Sequence, residues 1–498
     1  MNGAATLRLD NDRLFLIGLA FAIAPIWLVT YPPLVDLPQH AGQIAALERL
    51  FADDPRFTAV FQVNWFTPYL LGYLLLYGLA TILPILTAAK LLLSLAVVAL
   101  PLATRALLRT AGGDPKLAWL AIPASFSFAF YWGFLSYLVA VPIGLLFVVV
   151  AVRYARRPGL PAAAGIALFS LFLFFCHVLV LLIASALALS ILAGEHYRAP
   201  RRLVTLSLPF TAPLPLIWLW SRITHEQEAQ VQSAPVVYGD FVERLLGFAI
   251  QPSGLDGVLL PLSVVITAVI VGYPFVHGMR LTRQPARWLP LLVALALYFG
   301  APSFAQGTGF LYHRTGVFLV PMWLLLWDRN PGGTSRLQWL PLALVALWAS
   351  INIVRFTVYD RETRSFSRVL AEMAPAGNAL YLVLQRGSSH FRAPMYLHFG
   401  AWYQALHEGV VDFNFAYFHP QMVRYRPGRQ SPIGEQFAWS PQLFDWTVHR
   451  GASYDYFLIH APVDASEFVF KGDAGAVELI AQDGRWWLYR PLAAPAGP

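Results

Sequence analysis

Asp36 and His40 stand four residues apart in the segment VDLPQH. If the segment is helical, that spacing places a carboxylate and an imidazole one turn apart on one face. Pro38 restricts such a helix to a start at its own first turn. The pair suits general-base work on a hydroxyl, and it could also form part of a divalent-metal site. A plainer reading is open: Asp36 caps a helix running from Pro38 to Leu50, and His40 is solvated. His177 interrupts the apolar stretch FLFFCHVLVLL. An ionisable residue there is a functional candidate, or else a turn histidine bonded to a backbone carbonyl. His313 and Arg314 open another apolar run, after the Gly-rich loop PSFAQGTGFLY. An arginine at a helix start gains nothing from the dipole, which favours anions there. Its planar fork does match paired phosphate oxygens; the alternative is an arginine snorkelling to headgroups. Lys90, near one end of an apolar run, is open to the same two readings. The loop 223–257 carries His225, Glu226, Glu228, Asp240, Glu243 and Arg244, an ordinary acid content for a solvated loop. No HExxH, Walker A, GxSxG or dinucleotide fingerprint occurs in a supporting context. The single cysteine, Cys176, excludes an intramolecular disulfide and a cysteine metal site. No cofactor is expected with these features, and a divalent metal is possible, with Asp36 and His40 as a partial site.

These groups sit in a chain of 498 residues that is 57% hydrophobic and 12% charged. Soluble proteins carry about 25% charged residues. The apolar residues also come in long runs, so the chain reads as a polytopic α-helical membrane protein. The net charge of +8 comes from Lys and Arg placed mostly in short loops. That placement marks topology, and no nucleic-acid partner is expected. The first apolar run, 14–30, continues past two Ala-rich sites that resemble signal cleavage sites, which suits an uncleaved span.

Apolar runs place further spans at about 85–108, 117–132, 134–152, 160–176, 178–193, 203–222, 258–277, 288–302, 314–328 and 337–357. With the first they make about eleven. Basic clusters then fall on one side at Arg105/Arg109/Lys116, Arg153/Arg156/Arg157, Arg198/Arg201/Arg202, Arg280/Arg283/Arg287 and Arg329/Arg336. The positive-inside rule makes that side cytoplasmic, with Arg8 and the N-terminus. Segment 66–83 is apolar but broken by Pro68, Gly72 and Gly78. As a full span it would reverse the later loops against the charge bias, so it is expected to lie along the outer interface. The expected domains are a membrane domain, 1–357, with a first outer loop at 31–84, and a small outer α/β domain at 358–498. In the latter, 379–385 and 454–460 read as strands after a helix at about 362–373. Residues 477–490 read as a hairpin turning at Asp483-Gly484. The protein is expected in the inner (cytoplasmic) membrane, with its C-terminal domain in the periplasm.

The order of these parts resembles the polytopic GT-C glycosyltransferases, the superfamily of protein O-mannosyltransferases, oligosaccharyltransferases and lipid A aminoarabinose transferases. The likeness covers about residues 14–357. A first span ends at an outer loop opening with an acid, Asp36. An interfacial segment follows, TPYLLGYLLLYGLA, and then a span entered by TAAKLLLSL and left by RALLRTAGG. A pair of spans meets at SFAFYWGFLSYL, a hinged pair at FLFFCHVLVLL, and a small α/β domain closes the chain. The resemblance implies a membrane glycosyltransferase using a polyprenyl-phosphate sugar, with an inverting hexosyl or pentosyl transfer to a lipid, glycan or protein acceptor. It carries the role of catalytic base to Asp36, with His40 beside it. Many relatives have a second acid after the first, where this chain has Leu37. Donor-phosphate binding is read from chemistry onto Arg314, His313, Lys90 and His177. Trp402, Tyr403, Trp439, Trp446, Trp486 and Trp487 would offer the acceptor stacking faces. The rival readings are an inactive relative acting as an assembly partner and a transporter. A transporter is disfavoured because no repeated halves are visible.

Overall fold

The structure, a computed structural model, describes residues 12–228, 235–305, 307–329 and 339–492. The loop arginines Arg8 and Arg336 lie outside them. The described chain is mostly helical, with a sheet near its C-terminus. Five described helices are long and apolar enough to cross a membrane: Ile85–Ala111, Leu135–Arg156, Val178–His196, Gly257–Val276 and Leu340–Leu370. The chain is an integral membrane protein. A sixth candidate is the pair Pro200–Thr211 and Leu214–Thr224, bent by 46°. Pro209 and Pro213 lie at that bend, and each removes a backbone donor.

Several apolar runs that read as continuous spans are built from pieces. The run 117–132 becomes two 3₁₀ segments, Pro115–Ala121 and Pro123–Phe126, and a short helix, Phe128–Trp132. Prolines open both 3₁₀ segments, and Gly133, at φ 85°, ends the helix. The run 314–328 becomes Leu311–Thr315, Gly316–Phe318 and Leu319–Leu324. Hydropathy reports burial but not helix continuity, so such pieces look like spans in the sequence. Segment 66–83 contains a helix of only 11 residues, Leu70–Ala80. That is about 16 Å long, against about 30 Å of hydrocarbon.

The chain folds as two compact units. The first takes the described residues up to Leu28, Pro68–Gly72 and Leu92–Val354. Within it, 83% of the apolar window of Leu135–Arg156 is buried, against 33% for Gly257–Val276. The former is a central helix and the latter a peripheral one.

The second unit takes Val29–Thr67, Tyr73–Leu91 and the described residues from Arg355. Its five-stranded sheet runs in the order Val410–Asp412, Asn378–Val383, Tyr456–His460, Trp486–Pro491, Val477–Asp483. The first two pairings are parallel and the last two antiparallel. The expected hairpin is present, with Asp483 opposite Trp486 and Gly484 at φ 58°. Only glycine takes that backbone region without strain. The helix expected at 362–373 is the end of the 31-residue Leu340–Leu370. Trp402, Tyr403 and Trp486 are at most 1% exposed and belong to the core, so they offer no stacking face to an acceptor. Trp439, at 42%, is exposed.

Candidate functional site

In the second unit, the helix Leu37–Phe51 carries the first group of candidates. Pro38 suits its first turn, where the missing N–H would have no partner anyway. Two glutamines one turn apart lock the helix in place. Gln39 donates to Phe413 O at 3.1 Å and accepts from Phe415 N at 3.0 Å. Gln43 does the same with Val423 O and N, at 3.1 and 2.8 Å. Each amide satisfies backbone groups that a loop would otherwise leave buried and unpaired.

Asp36 precedes this helix but makes no side-chain cap bond. His40 N donates to Asp36 O at 3.1 Å, which confirms one turn between them. With no cap bond and both residues only 6% exposed, neither the capping nor the solvated reading holds. The Asp36 carboxylate lies 3.5 Å from Nε2 of His398, itself buried. At that separation the contact is electrostatic rather than a well-formed hydrogen bond. Burial, reinforced by the adjacent His40, pushes His398 down to about 3, so its ring is neutral at ordinary pH. Nδ1 of His40 is 2.7 Å from the Tyr73 hydroxyl, and that hydroxyl donates to Gln421 Oε1. An amide oxygen only accepts, so Tyr73 spends its one proton there and accepts from His40. A neutral His40 then carries its lone pair on Nε2, the atom a proton acceptor uses. Lys90, also in this unit, donates to Val29 O at 2.5 Å.

In the first unit, His177 separates the helices Leu160–Cys176 and Val178–His196. Its extended backbone breaks the helix, and its Nδ1 accepts from Leu179 N at 3.2 Å. It is thus a turn histidine bonded to a backbone N–H rather than to a carbonyl. The neutral ring keeps an Nε2–H donor. That ring packs 4.7 Å from Tyr69 and 5.2 Å from Tyr137.

Arg314 packs on the same tyrosine. Its guanidinium carbon is 5.9 Å from the Tyr137 ring and 3.8 Å from the Phe134 ring. The Tyr137 hydroxyl donates to the Arg314 carbonyl, which fixes this short helix. Arg314 is 8% exposed, so its head does not reach outward as a snorkelling arginine would. Among the described residues its guanidinium has no carboxylate and no hydrogen-bond partner. The other buried arginines of this unit are satisfied. Arg244 donates to Tyr298 O and Ala301 O, each at 2.8 Å. Arg287 donates to Leu325 O, Trp327 O and Asp328. His313 stacks between Tyr312, at 3.8 Å, and Phe128, at 4.4 Å, as a packing ring. Thus Arg314 and His177 share Tyr137 as a neighbour, His313 is held by other rings, and Asp36, His40 and Lys90 belong to the second unit. No group of three or more metal-ligating side chains occurs among the described residues.

No protein-family model matches the chain, and no curated protein does. Solved structures do match. The crystal structure of ArnT from Cupriavidus metallidurans bound to undecaprenyl phosphate aligns with a TM-score of 0.54 at 12% identity, covering 98% of this chain and 99% of that one. The apo form of the same protein aligns at 0.52 and 13%, with the same coverage. The fold is GT-C-like. At such low identity the likeness speaks for the GT-C-like architecture from end to end.

Sequence reasoning passed over His398, Tyr73, Gln421 and Tyr137. His398 sits in MYLHFGAWY, which has no recognisable motif. Tyr73 lies in the segment quoted for the family resemblance, but nothing local ties it to His40.

Proposed function

We propose that this chain is a membrane glycosyltransferase that moves a sugar from a polyprenyl-phosphate donor to a hydroxyl acceptor. The observation that carries the reading is Arg314: a buried cation without a counter-charge among the described residues, in a GT-C-like fold. Burying an unpaired charge costs several kcal/mol, and an arriving phosphate removes that cost. The ArnT structure carries undecaprenyl phosphate. For this chain Arg314 holds the donor phosphate, with the Nε2–H of His177 as a second donor; His313 and Lys90 are lesser candidates. Asp36 takes the acceptor proton, helped by His40, and His398 positions its carboxylate. The anomeric carbon then exchanges the phosphate oxygen for the acceptor oxygen with inversion. Arg314 stabilises the charge gathering on the leaving phosphate.

The same reading sets topology. The broken apolar segments 117–132, 203–222 and 314–328 count as crossings made of short pieces, for about eleven in all. The N-terminus is then cytoplasmic, and the domain over 358–498 lies outside the inner membrane. Residues 1–357 form the membrane domain and 31–84 its first outer loop. The acceptor is a lipid, glycan or protein, with a hexose or pentose transferred.

The deciding experiment is binding of undecaprenyl phosphate to the purified chain, followed by mass spectrometry of glycolipids and surface glycans with and without the gene. Saturable binding that Arg314→Gln abolishes, together with loss of one glycan, is the expected result. Binding unaffected by that substitution would remove the phosphate assignment.

A further inference from the structure

A second basic site lies in the first unit, where the ends of Ile85–Ala111 and Leu135–Arg156 meet the start of Leu160–Cys176. A cavity of about 590 Å³ opens there. That volume is within the range of pockets that hold small ligands. Arg153, Arg156 and Arg157 line it together with the ring of Tyr154, Val150 and Ala162.

The three arginines are not equivalent. Arg156 is fully committed to the protein: it donates to Thr110 O at 2.7 Å, Ala111 O at 3.1 Å and Glu195 at 3.3 Å. It neutralises both Glu195 and the carbonyl end of the helix Ile85–Ala111. Arg153 and Arg157 are exposed, and among the described residues their side chains have no carboxylate or hydrogen-bond partner. The pocket therefore has a fixed wall and two uncommitted guanidinium groups at its rim. Val150, Ala162 and Tyr154 give it an apolar lining, the first and last from the membrane-length helix Leu135–Arg156.

We infer that this pocket binds an anionic phospholipid, with the headgroup phosphate on Arg153 and Arg157 and the start of an acyl chain against Val150, Tyr154 and Ala162. A free phosphate would use the rim and leave the apolar interior wet. A zwitterionic lipid would fill the interior but bring a cationic group to a cationic rim. An anionic lipid matches both parts. The site is independent of Arg314 and of the transferase reading.

The test uses the full chain, purified in neutral detergent and stripped of lipid, with native mass spectrometry counting retained molecules. The probes are phosphatidylglycerol, phosphatidylcholine and inorganic phosphate. Phosphatidylglycerol is expected to bind about tenfold more tightly than phosphatidylcholine, and the Arg153→Gln/Arg157→Gln double variant to lose about that factor. Should the double variant fail to fold, Val150→Trp fills the interior from within, leaves the arginines in place, and should also release the lipid. Equal retention of the two lipids, or undiminished retention in whichever variant folds, overturns the proposal. So does displacement of phosphatidylglycerol by millimolar inorganic phosphate, which would make the rim a simple anion site.

Discussion

In the second unit Asp36, His398, His40, Tyr73 and Gln421 form a run of buried polar groups, each beside a neighbour of suitable character. In the first unit Arg314 is wrapped by Phe134 and Tyr137 and meets no anion among the described residues. In the first arrangement each group has a polar neighbour within the protein. The second sets its cation against aromatic rings. Arg244, in the same unit as Arg314, shows that this part of the chain can satisfy a buried guanidinium with carbonyls. Removing a hydrogen-bonded member of the first run, such as Tyr73, should therefore cost stability. A buried cation without an acidic partner among the described residues costs stability.

The largest effect that would break this contrast is expected at Asp36. Asp36→Asn keeps the shape and removes the charge. Transfer from the polyprenyl-phosphate donor should fall by about 10²–10⁴-fold, the usual contribution of a general base. Membrane level and melting temperature should stay near those of the parent. Full activity in the purified variant would remove the base assignment.

Arg314 should behave in the opposite way towards stability. Arg314→Lys keeps the charge but loses the bidentate fork, and the donor KM should rise about tenfold or more. Arg314→Met should abolish donor use and yet raise the stability of the unliganded protein by about 1 kcal/mol or more, because it removes a buried charge with no acidic partner among the described residues. Arg244→Met should lower it, because Tyr298 O and Ala301 O lose their donor. Thermal unfolding of the two methionine variants side by side reads the contrast directly. The same sign for both would collapse it.

Acid should weaken the second unit. Burial pushes His398 to about 3 and both His419 and His460 to about 4, all below the ordinary 6.5. Below pH 6.5 the unfolded chain takes up protons that the folded one refuses. The stability these rings contribute is therefore whole above about pH 6.5 and drains away as pH falls towards 4 and then 3. Tryptophan fluorescence melts between pH 7.5 and 4.5 should show a steady drop, since Trp402 and Trp486 are buried in that unit. A flat profile would mean that the rings are not buried as described.

The smallest effect is expected at Tyr73. Tyr73→Phe removes the hydroxyl between His40 and Gln421 and should cost about 1–3 kcal/mol of stability. Transfer should fall only a few-fold, because Asp36 remains. A loss as deep as that of Asp36→Asn would place the relay, rather than the carboxylate, at the centre of the reaction.

The amino-acid sequence by itself determined what local pattern can carry. Long apolar runs and scarce charge required a membrane protein, and Leu160–Cys176 was legible to the residue because hydropathy and a hinge histidine bounded it. The spacing of Asp36 and His40 allowed one helical turn between them if the segment was helical, as it is, and Asp483-Gly484 marked the hairpin, since both depend only on neighbouring backbone geometry. Tertiary structure decided the rest. Whether 117–132 or 314–328 forms one helix or several pieces turns on prolines, glycines and packing that an apolar average does not register. Whether Trp402 and Trp486 face solvent or core depends on which strands and helices meet around them. His398 reaches Asp36, and Gln421 reaches Tyr73, from the far end of the chain. Such meetings are set by the packing of whole elements, and no spacing along the sequence records them. The setting of Arg314 is of the same kind: an arginine is visible in any sequence, but that no acidic partner meets it among the described residues becomes visible only when its surroundings are in place.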